Sequence, residues 1–174
     1  MTLIETKVLG TAAASIEFTS IPQTFTDLVL FYSFRDTGTN GLERVHQTAI
    51  SLNTSTSSFS SRALAGDGST AFSFSVTPRF SGWHPDAAST SNTFGNTMLY
   101  LPNYTGSTNK SYSIDQVAEN NSSKTYASIV AGLWSNTAAI TGITLTTLGT
   151  NLDVGSTASL YGVLKGSSNG VVVS

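Results

Sequence analysis

The sequence predicts an all-β protein: a two-sheet, antiparallel, jelly-roll-like sandwich built as one domain over residues 1–174. Three observations carry this. Apolar and polar residues alternate with period two through most of the chain, which sends successive side chains to opposite faces of a strand. Clusters of Gly, Asn, Ser and Asp, the residues of tight turns, separate the alternating stretches. No stretch sustains the i, i+3, i+4, i+7 spacing of an amphipathic helix over three turns.

The elements follow in order. Residues 1–10 form an N-terminal strand or arm, with Thr2–Leu9 as its extended part. In Ala14–Phe18, Ala14, Ile16 and Phe18 share one face and Ser15 and Glu17 the other, the pattern of a half-buried strand. Pro22 marks a turn, and the apolar Asp27–Phe34 reads as a central strand covered on both faces. Further strands are expected at Val45–Leu52, Ala71–Val76, Asn96–Leu101, Ser111–Val117, Tyr126–Trp134, Ile140–Thr146 and Ala158–Leu164. The polar stretches 53–70 and 78–93 read as excursions between strands, the second with one short helical turn opening on Pro85 and Asp86. Near the end, Ile140, Ile143, Leu145 and Leu148 are core candidates, and Leu160 and Tyr161 lie on the last strand. Residues 165–174 form a C-terminal tail, either a pairing arm or a ragged end.

Composition narrows the function. Charged residues make up only 10%, against roughly 25% in ordinary soluble domains. The gap is filled by 27 Ser and 26 Thr, so the surface is polar yet nearly uncharged. Eight scattered Lys and Arg and a net charge of −2 leave no basic cluster to neutralise phosphates, so no nucleic-acid partner is expected. The longest apolar run, Leu28–Tyr32, is far short of a membrane helix. The first ten residues lack the basic start and apolar segment of a signal peptide. With no Cys, disulfides, thiolate metal sites and thiol nucleophiles are excluded.

Catalytic patterns are weak. His46 and His84 lie far apart, and no G-x-S-x-G elbow supports a Ser–His–Asp triad. Asp115 and Glu119 are spaced for one strand face, which solvation explains as well as a glycosidase pair does. Residues 65–70, AGDGST, lack the Lys and spacing of a phosphate loop. Asn151 and Asp153 make a thin ligand set for calcium. No enzyme activity, metal or cofactor is expected. The stretch Pro78–Asp86 is unusual because Phe80, Trp83 and His84 crowd aromatic rings into an expected loop. Exposed, they would anchor a partner; folded back, Trp83 would be a lid on the core. Trp134 reads as core at a strand end.

The segment IETKVLGTAAASIEFTSIPQTFTDLVLFYSFRDT, residues 4–37, resembles the opening of a family of tailed-bacteriophage virion proteins. Their β-sandwich domains begin with a short strand and then L-G-x-A-x-x-x-I-x-F-x-x-I-P-Q-x-(F/Y)-x-x-L-x-L. NTF at 92–94, GLWSNTAAITGITL at 132–145 and ASLYGV at 158–163 are similar to that family's later landmarks, in the same order. The resemblance spans residues 3–164. It implies a structural virion protein: a capsid decoration or cement protein bound outside the major capsid protein shell, or else a tail or head fibre tip that binds a host receptor or glycan. The chain carries no N-terminal stalk, which fits decoration better. Threefold sites are common in such particles, so a homotrimer is implied, with 2–9 and 171–173 as strand edges a neighbour could cover. The candidate partner contacts are Thr2, Leu3, Ile4 and Glu5 on the N-terminal strand, and Phe80, Trp83 and His84.

Overall fold

A computed structural model describes residues 1–41, 44–75, 79–121 and 125–164. The C-terminal tail 165–174, with its expected edge at 171–173, and Val76 at the end of one expected strand lie outside the described residues. Twelve strands run in chain order: β1 (Thr2–Val8), β2 (Ser15–Phe18), β3 (Asp27–Phe34), β4 (Val45–Leu52), β5 (Phe59–Gly66), β6 (Ala71–Ser75), β7 (Phe80–Pro85), β8 (Gly95–Leu101), β9 (Lys110–Ala118), β10 (Tyr126–Trp134), β11 (Ile143–Thr147) and β12 (Thr157–Val163). They form an eight-stranded sheet, ordered β1-β12-β3-β8-β9-β10-β5-β6, and a four-stranded sheet, ordered β2-β11-β4-β7. Every strand pairing is antiparallel. The fold is an all-β sandwich, as the period-two pattern predicts.

The alternation explains how the layers close. Leu28, Leu30, Tyr32 and Phe34 of β3 are buried, and Leu99, Leu101, Ile114 and Val130 continue that inner face. Ile16, Phe18, Ile50, Leu52, Ile143 and Leu145 meet them from the smaller sheet. Trp134 is buried and stacks on Phe59. Because eight strands face four, the wide sheet must reach around the narrow one. Phe74 of β6 and Tyr126 of β10 do this, closing on Trp83 at ring separations of 5.5 and 4.8 Å.

Two elements depart from expectation. The excursion 53–70 contains β5, whose inward positions are Phe59, Ser61, Ala63 and Ala65. Small and polar inward residues mute the alternation. The loop expected over 78–86 contains β7, buried along its whole length. Its Gly82 has a φ of +125°, and an added Cβ would come within 2.9 Å of the Gln116 side chain. Glycine lets β7 lie close upon β9.

Smaller corrections concern single residues. No helix forms at Pro85 and Asp86; among the described residues there is none. Pro85 ends β7, and the buried Asp86 carboxylate accepts from the backbone N–H of Ala88 (2.9 Å) and Ser89 (3.2 Å), holding a turn instead. The local hydrogen bonds of Asp favour turns as readily as helix starts. Leu148 is half exposed rather than core, since it lies beyond the end of β11. Ile140 is fully buried although outside any strand.

Candidate interaction surfaces

The outer face of the eight-stranded sheet departs from the usual antiparallel pattern, in which one face is solvated and polar. Across it, register places Phe31 opposite Met98, Met98 opposite Asp115, Asp115 opposite Ile129, and Ile129 opposite Leu64. The apolar members of this row are 39%, 41%, 62% and 59% exposed for Phe31, Met98, Ile129 and Leu64. Val117, Ala127 and Ala131 extend the patch on either side. Single exposed apolar residues are ordinary, but here four apolar side chains lie in one row across five strands, with Asp115 between Met98 and Ile129.

At one end of this sheet lies β1. It pairs with β12, from Thr2 opposite Gly162 to Val8 opposite Thr157, so the N-terminal residues complete the sandwich on one side. Its other edge carries no strand among the described residues. A bulge between Leu3 and Glu5 interrupts the ladder. Ile4 is half-buried against the core while Leu3 is exposed. Glu5 and Lys7 pair at 3.0 Å. Bulges and charges are how natural edges resist indiscriminate pairing, and this edge carries both.

Phe80, Trp83 and His84, expected together in a loop, are brought inside instead. Phe80 is fully buried, His84 is nearly so, and Trp83 retains 8% exposure. As surface anchors they are not presented to solvent; Trp83 takes the folded-back position. It forms one wall of a cleft of about 390 Å³ shared with Phe72, Phe74, Tyr126 and residues 45–47 of β4.

The sequence reading missed a polar cluster around Asp36. His46 and His84 face each other in register on β4 and β7, and both reach the buried Asp36 carboxylate. His46 Nδ1 donates to Oδ2 at 2.6 Å, His84 Nε2 lies 3.4 Å away, and the Thr147 hydroxyl donates at 2.9 Å. Gly38 N donates to Oδ1 at 3.0 Å. Since a carboxylate only accepts, His84 carries its proton on Nε2, and its Nδ1 accepts from the Thr48 hydroxyl at 2.8 Å. Burial holds the His84 ring below the ordinary histidine range, in its neutral form. Burial by itself would raise the Asp36 carboxyl, but hydrogen bonds from His84 and Thr147 and the histidine charges outweigh it and hold it below the usual range. Gly38 and Gly149 press their backbones against His46 and leave no space for a side chain there. This is a packed strut joining a loop to both strands. Distance in sequence hid it: Asp36 is 111 residues from Thr147.

No family model matches the chain, and no curated protein is similar to it. The likeness to tailed-phage virion proteins rests on its residues alone. Some of those residues interlock: Gln23 Nε2 donates to the Ile21 carbonyl at 2.8 Å and to the Ile140 carbonyl at 2.9 Å. The Tyr104 hydroxyl donates to the carbonyl of Pro22.

Proposed function

We propose that this protein is a structural component of a tailed-bacteriophage virion: a capsid decoration or cement protein that binds the outside of the major capsid protein shell. The observation that carries the reading is the ordered set of landmarks across 3–164, two of which, 21–23 and 132–145, meet through Gln23 and Ile140. Their contact gives a physical reason for them to occur together. The weakly charged Ser/Thr-rich surface supports the reading, because it suits crowding at high copy number. For the capsid contact we assign the open edge of β1, which can add to a neighbouring sheet through main-chain hydrogen bonds, with Thr2, Leu3 and Glu5 along it.

Immunogold labelling of particles that carry the protein tests this. Label spread over the head at capsomer junctions is the expected result. A few copies at the tail end would overturn it in favour of a fibre tip. That second reading draws on the cleft beside Trp83, yet the Trp83 ring is already packed on Phe74, Phe80 and Tyr126. A sugar would have to stack on Phe72 or Tyr126 instead. Host-surface glycan binding lost on Phe72→Ala, with the fold intact, would favour the tip.

A further inference from the structure

We infer that the outer face of the eight-stranded sheet is the surface through which copies of this chain associate, with Asp115 of one copy set against Arg62 of the next. The inference does not depend on the virion reading.

A sheet with apolar residues on both sides is normally covered on both sides. The smaller sheet covers the inner side here; among the described residues, the row Phe31, Met98, Ile129 and Leu64 has no cover. The size fits a stable contact. From β3 to β6 six strands lie side by side. At about 4.8 Å per gap and roughly seven residues of length, their face measures about 600 Å² in plan, close to the ~800 Å² per partner of stable complexes.

Charge then selects the occupant. At outward strand positions from β3 to β6 the charged residues are Asp27, Asp115 and Arg62. Asp27 is engaged by the Tyr100 hydroxyl and the Asn103 N–H, both at 2.9 Å. Asp115 and Arg62 remain, one acid and one base; Arg62 Nη1 donates to the Ser61 carbonyl at 3.0 Å, and among the described residues neither side chain is in a salt bridge. They flank the apolar centre: Asp115 pairs with Ile129, and Arg62 pairs with Ala131 on the following outward row. That places them roughly 12 Å apart, too far to satisfy each other. A face with one acid and one base on either side of Ile129 is complementary to itself. A second copy, related by a twofold axis, brings its acid to this base and its base to this acid.

The test is the mass in solution of four folded variants. Wild type is expected at a multiple of 18.2 kDa at micromolar concentration. Ile129→Glu, at an exposed site that leaves far-UV circular dichroism unchanged, is expected to run as a monomer. Arg62→Asp and Asp115→Arg should each weaken association about a hundredfold, through like charges facing across the contact. The Arg62→Asp/Asp115→Arg double variant should recover it. A wild type that stays monomeric overturns the inference, as does a folded Ile129→Glu variant of unchanged mass or a double variant no better than the singles. If Ile129→Glu keeps its mass but no longer binds capsid shells, the face belongs to the capsid protein and the self-association reading falls while the virion reading stands.

Discussion

The two faces of the eight-stranded sheet are made from the same strands and read almost alike in sequence, yet they do opposite work. On the inner face the apolar residues are covered, and polar residues such as Gln116 and Lys110 are paired. Gln116, buried on β9, accepts from the Ser128 hydroxyl at 2.9 Å and donates to the Trp83 carbonyl at 3.1 Å. Lys110, also buried, donates to the carbonyls of Gly106 (2.6 Å) and Thr108 (2.5 Å). On the outer face the apolar residues are exposed, and among the described residues neither Asp115 nor Arg62 is in a salt bridge. The lesson is that alternation alone does not say which face is covered. In Met98–Leu99 two large apolar neighbours differ from 41% exposed to fully buried.

Substitutions sharpen that contrast. Leu99→Ala should cost about 2–5 kcal/mol, the loss of a buried side chain plus its cavity. Urea denaturation measures it.

Next comes the Asp36 strut, where Asp36→Asn replaces a charged acceptor serving two histidines, a hydroxyl and an amide; a loss of about 1.5–3 kcal/mol is expected. The same strut makes stability depend on pH. His84 is depressed in the fold, so the unfolded chain takes up its proton first as pH falls below the ordinary histidine value of about 6.5. Its stabilisation is present above that value and is lost as pH falls toward its folded pKa. Asp36 is also depressed, so its contribution holds above the ordinary carboxylate value of about 3.9 and disappears as pH falls through the folded one. Urea midpoints should therefore fall in two stages on acidification. A midpoint independent of pH between neutrality and the carboxylate range would remove His84 from the account.

Gln116→Leu follows, at about 1–3 kcal/mol, because the Ser128 hydroxyl and the Trp83 carbonyl lose their partner without water to replace it. Smallest of all is Met98→Ala, within about 0.5 kcal/mol for the isolated chain. If Met98→Ala proved as costly as Leu99→Ala in a monomer, the two faces would not differ as described.

Much of the fold was legible because stretches such as Ala14–Phe18 and Ser111–Ile114 alternate between apolar and polar residues, whereas Asp27–Phe34, apolar at most positions, read as covered on both faces although Phe31 is 39% exposed on the outer one. β5 was not legible, because Ser61, Ala63 and Ala65 face inward and carry too little contrast with Ser60 and Arg62. β7 was hidden by the opposite cause: covered throughout, it shows no alternation, and its Gly and Pro mimic a loop. The aromatic cluster of Phe80 and Trp83 was visible as unusual, but whether rings point in or out depends on Phe74 and Tyr126 from distant strands. The outer patch was present in plain sequence as Phe31, Met98, Ile129 and Leu64. Only the strand order puts them in one row.

Methionine oxidation tests most directly whether a second copy covers the outer face, because the chain has two methionines in opposite settings. Met98 sits on that face at 41% exposure and Met1 lies off it at 75%. Mild peroxide converts accessible thioethers to sulfoxides, and mass spectrometry reads each site separately. The account predicts that Met98 becomes protected relative to Met1 as protein concentration rises, and that Ile129→Glu abolishes the protection. Oxidation of Met98 in constant ratio to Met1, at every concentration and in both proteins, would contradict it.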